Sequence, residues 1–143
     1  SLNSILAFPL ITAMLDPVTR KKDTSWRNVG GLIDFEEGKT KMVSFENASP
    51  YKWSGEIAYS AAYVRREENN KLTAFSVNCA HLGCPVRWEE KPELFMCPCH
   101  GGVYYKDGSR AAGPPPRGLH TYPIRIVNNQ VEIETQAIPI TNI

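Results

Sequence analysis

All four cysteines of this 143-residue chain, and two of its three histidines, lie close together in one segment. The cysteines fall within residues 79–99, and the remaining sequence has none. Cysteines crowded in this way favour a local site over a disulfide framework that is spread through the fold. The sequence therefore predicts one concentrated site of thiols and imidazoles.

Two short motifs carry this site. The first is C-A-H-L-G-C at Cys79–Cys84, and the second is C-P-C-H-G-G at Cys97–Gly102. Reduced to possible ligands, the pattern is C-x-H, then fifteen intervening residues, then C-x-x-H. Each half offers a thiolate and an imidazole on a tight turn, with a glycine that permits close approach of the backbone.

Three kinds of site are compatible with these residues. One is a pair of disulfides with two surface histidines. A second is a zinc site of two cysteines and two histidines, although zinc motifs usually keep like ligands together and here each half is mixed. The third is a 2Fe-2S cluster with two cysteines on one iron and two histidines on the other.

The motifs C-x-H-x-G-C and C-P-C-H-G resemble those of the Rieske iron–sulfur proteins of quinol-oxidising cytochrome bc and bf complexes. The resemblance implies that Cys79 and Cys97 bind one iron of a 2Fe-2S cluster. It implies that His81 and His100 bind the other iron. By the same resemblance, His100 is the histidine that meets the quinol.

The resemblance also implies a disulfide between Cys84 and Cys99 that joins the two cluster-binding loops. Rieske ferredoxins and Rieske oxygenases generally lack this second cysteine pair. Its presence therefore favours the type found in membrane complexes and implies an oxidising compartment.

Two more residues are carried over from the family, and one histidine is not. Leu82 resembles the apolar residue that shields the cluster where quinol docks. Tyr104 matches a tyrosine whose hydroxyl bonds the thiolate of the first motif cysteine, here Cys79. His120 lies outside both motifs and receives no metal role.

Gly102 departs from the family pattern, because many members have a serine there that donates a hydrogen bond to a bridging sulfide. A missing hydroxyl is expected to lower the reduction potential by roughly 60–130 mV. That change suits a low-potential quinol and predicts menaquinol as the donor. Gly102→Ser is expected to raise the potential, provided that the hydroxyl reaches the sulfide.

A proline run resembles the rigid loop that covers the other side of the cluster in the family. Its residues are Gly113, Pro114, Pro115 and Pro116.

The rest of the chain predicts an all-β fold. Eleven prolines, ten glycines and short apolar runs, without sustained helical periodicity, favour strands and loops. Residues 78–117 are expected to form a small loop-rich subdomain inserted in a larger β domain. The resemblance names this arrangement the Rieske fold, an antiparallel base domain with a cluster-binding subdomain. The expected strands are Leu32–Phe35, Lys41–Phe45, Ile57–Arg65, Leu72–Val77, Ile124–Val127 and Val131–Glu134, with a loop at Asn47–Trp53 and the clearest hairpin at Asn128–Gln130.

The N-terminal segment Leu2–Leu15 is mostly apolar but too short to cross a bilayer, which needs about 20 apolar residues. It fits either a helix packed on the domain or the trailing end of a membrane anchor. The polar residues that follow favour the anchor. We therefore expect an anchor end and neck at 1–23, with the neck near Asp16–Thr24, and a Rieske domain at 24–143.

The resemblance implies a subunit of a quinol:cytochrome c, or plastocyanin-type, oxidoreductase on the outer, positive face of the cytoplasmic membrane. It implies a cytochrome b subunit, a c-type cytochrome and quinol as partners, and an electron carrier when the chain is isolated. Two alternatives remain, the small Rieske subunit of another oxidoreductase such as arsenite oxidase, and a zinc-stabilised binding module. The net charge of +1 gives no indication of nucleic-acid binding.

Overall fold

The computed structural model describes residues 25–47 and 58–135, which form eleven strands and two single-turn 3-10 helices. The strands are β1 (Trp26–Gly31), β2 (Thr40–Asn47), β3 (Ala58–Arg66), β4 (Leu72–Ser76), β5 (Arg87–Glu89), β6 (Leu94–Cys97), β7 (Gly102–Tyr105), β8 (Arg110–Ala112), β9 (Thr121–Tyr122), β10 (Ile124–Val127) and β11 (Gln130–Glu134). All strand ladders are antiparallel and form three sheets. The predicted all-β class is confirmed.

Two of the sheets form the base of the molecule. One has the order β1-β11-β10 and the other β2-β3-β4-β9. Alternate residues of their strands point inward, such as Val43 and Phe45 on β2 and Val131 and Ile133 on β11, because side chains alternate between the faces of a strand. These residues share one buried core, whose members are Phe35, Val43, Phe45, Ala62, Val64, Ala74, Tyr122, Val131 and Ile133.

The predicted C-terminal hairpin is confirmed. β10 and β11 pair from Ile124 opposite Ile133 to Val127 opposite Gln130. Between them, Asn128 and Asn129 have φ values of 49° and 61°. Positive φ at both turn residues is what a tight two-residue hairpin requires, and asparagine tolerates it.

One predicted strand is wrong. Leu32–Asp34 is a 3-10 helix that follows β1, and the strand expected at Leu32–Phe35 is absent. The Asp34 carboxylate accepts the N–H of Gly31 at 2.9 Å, which stabilises a turn. Ile33 is 91% exposed while Phe35 is buried, so the apolar run does not have one face against the core. The strands expected at Lys41–Phe45, Ile57–Arg65 and Leu72–Val77 correspond, over their described residues, to β2, β3 and β4.

The third sheet, β5-β6-β7-β8, lies within the segment that was expected to be loop-rich. Its four short strands were not predicted. Phe95 on β6 is fully buried, and its ring lies 4.7–5.5 Å from the ring centroids of Tyr63, Phe75 and Trp88. A second buried core forms there and includes two of the motif cysteines. Its members are Phe75, Cys79, Val86, Phe95, Cys97, Tyr104 and Leu119.

Residues 25–47 and 58–135 include no helix long and apolar enough to cross a bilayer. The expected anchor end at 1–23, the neck at Asp16–Thr24 and most of the loop at Asn47–Trp53 lie outside the described residues.

Candidate metal centre

The two motifs form two loops that are built alike. The first loop connects β4 to β5, and the second connects β6 to β7. In each, the glycine four residues after the leading cysteine donates its N–H to that cysteine's carbonyl, Gly83 to Cys79 at 3.0 Å and Gly101 to Cys97 at 3.2 Å. The φ angles of Gly83 and Gly101 are +80° and +72°. Because a Cβ is strained at these angles, the motif glycines allow each turn to close.

The disulfide implied by the resemblance is present. Cys84 and Cys99 are bonded, with their Cα atoms 6.5 Å apart, and the bond joins the two loops. The Cys97 sulfur lies within 4.8 Å of both disulfide sulfurs. Those two sulfurs are not thiolates, so the three together are not a metal-binding set. Cys79 and Cys97 remain as the free cysteines.

The two free cysteines are buried, and their thiols interact with each other without a covalent bond. Burial raises the pKa of Cys79. The hydrogen bond with the Tyr104 hydroxyl lowers this pKa, and the interaction with the Cys97 thiol raises it further. A thiol held in this environment keeps its proton until a cation displaces it, and metals bind cysteine as the thiolate. The pair therefore has the chemistry of a metal-ligand pair.

Tyr104 contacts Cys79 as expected. Its hydroxyl oxygen lies 2.9 Å from the Cys79 sulfur and accepts the backbone N–H of Ala80 at 3.0 Å. Burial and the hydrogen bond with Cys79 raise the pKa of Tyr104, so the hydroxyl stays protonated. In the contact between the hydroxyl and the Cys79 sulfur either group can be the donor, and the hydroxyl is the donor when Cys79 is a thiolate. The Ala80 amide was not anticipated, because a backbone donor has no signature in the sequence.

The two histidines lie side by side at the surface. The rings of His81 and His100 meet edge to face, with centroids 4.9 Å apart. His100 is exposed and His81 is half-buried. The Nδ1 atom of His81 is buried and has no hydrogen-bond partner in the described structure. Since an unpaired buried nitrogen is unfavourable, this atom is a natural ligand for a metal ion.

These donors fit a 2Fe-2S cluster with mixed ligation. Two buried free thiols and two adjacent imidazoles are present, and one imidazole nitrogen has no protein partner. The assignment of Cys79, His81, Cys97 and His100 as the four ligands stays a prediction, and the geometry is compatible with it.

The other predicted site residues lie around this centre. Leu82 is 65% exposed beside the histidine loop. In the proline loop, Pro115 is buried, whereas Pro114 and Pro116 are exposed. The Gly113 carbonyl oxygen accepts a hydrogen bond from the Arg110 guanidinium at 2.7 Å. His120 packs edge-on against the ring of Tyr122 at 5.5 Å, and no metal role is indicated for it.

Comparison with known proteins agrees with this geometry. The Rieske 2Fe-2S domain matches residues 25–123. The chain is 32% identical over 116 residues to the menaquinol:cytochrome c reductase iron–sulfur subunit of Geobacillus thermodenitrificans, an alignment that covers 78% of this chain and 68% of that protein. It is 28% identical over 126 residues to the cytochrome b6-f complex iron–sulfur subunit of Chlorobaculum tepidum, covering 88% of this chain and 62% of that protein.

A solved structure shows the same fold. The cyanobacterial plasma membrane Rieske protein from Synechocystis PCC 6803 superimposes with a TM-score of 0.53 and 24% identity, over 74% of this chain and 96% of that chain.

The fold and the paired loops define an iron–sulfur electron-transfer protein. The chain belongs to the Rieske 2Fe-2S domain family. Its cofactor is a 2Fe-2S cluster, and its similar relatives are iron–sulfur subunits of cytochrome complexes. The alternative of two disulfides is wrong, because Cys79 and Cys97 are free. The zinc module and the arsenite oxidase subunit are not favoured by these relatives.

Proposed function

We propose that this chain accepts an electron and a proton from menaquinol and passes the electron to a c-type cytochrome. The observation that carries the proposal is the layered arrangement of the donors, with the thiols of Cys79 and Cys97 buried and the ring of His100 exposed. A centre arranged in this way can meet a hydrophobic donor through its imidazoles while its sulfur ligands stay shielded.

In this proposal Cys79 and Cys97 hold one iron, and His81 and His100 hold the other. A bound cluster with this ligation supplies one-electron chemistry at a higher potential than a cluster with four cysteines. The ring of His100 accepts the hydroxyl proton of the quinol. Leu82, which follows His81 in the chain and is exposed, offers an apolar contact for the quinone ring.

Two observations support menaquinol. The relative from Geobacillus thermodenitrificans is a menaquinol:cytochrome c reductase subunit. In addition, Gly102 has no hydroxyl with which to stabilise a reduced cluster, so the centre is expected to have a low potential.

The same comparison supports proposals for the partners and the location. The chain spans 62% of the length of its Chlorobaculum tepidum relative. We propose that 24–143 is the Rieske domain, with the cluster-binding subdomain near 78–117, and that 1–23 leads from an anchor on the outer face of the cytoplasmic membrane. A cytochrome b subunit and a c-type cytochrome are the proposed protein partners.

Replacing the proposed ligands one at a time tests the site. Alanine at Cys79, His81, Cys97 or His100 is expected to abolish the cluster, because each removes one of four protein ligands. Iron content and the EPR spectrum of the dithionite-reduced protein are the measurements. His120→Ala is the matched control and should retain a full cluster. A normal cluster in any one of the four variants would contradict the ligand assignment.

The redox role has a separate test. The protein purified from its native membranes is expected to bring down a b-type cytochrome, and its cluster is expected to be reduced by a menaquinol analogue. Optical haem spectra and the rate of cluster reduction are the measurements. A purified complex without b-type haem, or a cluster that menaquinol leaves oxidised, would contradict the proposal.

A further inference from the structure

We infer that Gly102 and Pro115 are a matched pair, in which the proline ring occupies the space that any side chain at position 102 would need. The pair thereby keeps a hydroxyl at position 102 away from the sulfur of Cys79. This inference rests on the proposed function, because it concerns the potential of the cluster that Cys79 would bind.

The backbone does not by itself require a glycine at position 102. Gly102 begins β7 opposite Cys97, and its φ is not in the positive region that favours glycine. The restriction is one of space. An ideal Cβ on Gly102 would lie 2.8 Å from Cγ of Pro115 and 3.3 Å from Cδ of the same ring. Carbon atoms in favourable contact are about 3.5–4.0 Å apart, so the ring and a Cβ cannot both stay in place.

The same Cβ would point at the cluster site. It would lie 3.3 Å from the Cys79 sulfur. A serine at position 102 would therefore carry its hydroxyl into the region of this sulfur once the proline ring no longer fills it. Residue 115 thus decides whether a donor at position 102 can be accommodated.

The proline ring has little freedom to withdraw. Pro115 is fully buried, and its ring is closed onto its own backbone. The loop that carries it is pressed against the second motif. A Cβ on Gly113 would lie 2.4 Å from the Gly101 carbonyl oxygen and 2.9 Å from the Gly102 Cα. Relief of a clash at position 102 would require the whole proline loop to move.

The expectation for Gly102→Ser changes accordingly. The single substitution places a Cβ against a fixed ring, so it does not deliver the hydroxyl to the sulfur in an undisturbed site. Pro115→Ala removes Cγ and Cδ, the two ring atoms nearest to position 102. The hydroxyl is accommodated only when both residues are changed.

The test compares the wild type with Gly102→Ser, Pro115→Ala, the Ser/Ala double variant and a Gly102→Ala/Pro115→Ala control. Iron content, the midpoint potential from EPR-monitored titration and the denaturation midpoint are measured for each. We expect Gly102→Ser alone to lower the denaturation midpoint and to lack the rise in potential. The Ser/Ala variant should recover stability and have a higher potential than the control, which lacks only the hydroxyl.

Several results would overturn the pairing. One is a Gly102→Ser variant as stable as the wild type, with a full cluster and the same potential rise as the double variant. Another is a double variant no more stable than Gly102→Ser, a result that can be read even without a cluster. A potential no higher than that of the alanine control would also overturn it. None of these readouts uses quinol, so failure of the pairing and failure of the proposed function are distinguishable.

Discussion

The sulfur of Cys79 has neighbours that act on its charge in opposite directions. Burial favours the neutral thiol, whereas the hydrogen bond with the Tyr104 hydroxyl favours the thiolate, to which the hydroxyl can donate. The Ala80 amide donates a hydrogen bond to the Tyr104 hydroxyl oxygen, and the hydroxyl proton remains available to the sulfur. With iron bound in place of the thiol proton, the same hydroxyl would donate to a sulfur that gains negative charge on reduction.

Tyr104→Phe is therefore expected to lower the midpoint potential. The lost bond is to a charged group and is worth about 1.5–3 kcal/mol, and part of this appears as a shift of up to roughly 130 mV. Redox titration of the loaded protein measures it. Tyr105→Phe is the matched control, because Tyr105 is 53% exposed on the other face of β7. Equal potentials in the two variants would show that the hydroxyl does not tune the site.

At the scale of elements, the centre is two turns held at the ends of short strands. β6 and β7 pair from Leu94 opposite Tyr105 to Cys97 opposite Gly102, so the second motif is the turn of a hairpin. The first motif is closed by a backbone hydrogen bond, which the Cys79 N–H donates to the Cys84 carbonyl at 2.8 Å. No strand ladder joins these two turns directly, and the disulfide supplies their covalent link.

Removing that link should destabilise the domain. The cysteines are separated by 15 positions. A disulfide closing a loop of about 15 residues contributes about 3 kcal/mol in the chain-entropy treatment. Cys84→Ser with Cys99→Ser is expected to lower the free energy of unfolding by about this amount, measured by urea denaturation.

The matched control for the disulfide is the wild type unfolded in the presence of a reductant. Its stability should fall to that of the double serine variant, and the variant itself should be insensitive to reductant. Mass spectrometry of the unreduced wild type should find no free thiol at Cys84 or Cys99. Free thiols at both positions after aerobic purification would contradict the assignment.

For the whole molecule, one arginine connects the base to the cluster-binding sheet. Arg65 on β3 is buried and donates to Glu67 at 2.5 Å, Thr40 at 3.1 Å and Glu93 at 3.3 Å. Its guanidinium also lies 5.8 Å from the ring centroid of Trp88. Thr40 and Glu67 belong to the base, whereas Trp88 and Glu93 belong to the β5–β6 hairpin. Arg65 therefore helps to set how the cluster-binding sheet sits on the base.

Arg65→Met is expected to lower the free energy of unfolding by about 1–3 kcal/mol, because methionine preserves much of the apolar stem but none of the charged hydrogen bonds. Urea denaturation measures the change. Arg125→Met is the surface control, since Arg125 is half-exposed, pairs with Glu132 in the same hairpin and lies 3.9 Å from the ring centroid of Trp26. Its loss should cost about 1 kcal/mol or less. Comparable effects of the two substitutions would argue against a connecting role for Arg65.

Local sequence patterns were sufficient to predict several structural features of this protein. The spacing of cysteine and histidine in the two motifs indicated one concentrated site, and resemblance to the family supplied its 2Fe-2S cofactor and the disulfide partners. The hairpin at Asn128–Gln130 was readable because positive φ is a property of the turn residues themselves. Alternation of apolar residues revealed β2, since a half-buried strand has a period of two.

Tertiary structure decided what depends on distant neighbours. The apolar run at Leu32–Phe35 fits a strand by composition, but Leu32–Asp34 forms a 3-10 turn that leaves Ile33 exposed while Phe35 is buried in the core. The strands β5–β8 are too short to show a period, and packing around Phe95 organises them. Gly102 and Pro115 are far apart in the chain, and only folding brings a proline ring against the glycine. Sequence could therefore propose the residues of the site, but the space around each one is set by contacts between segments that are not neighbours in the chain.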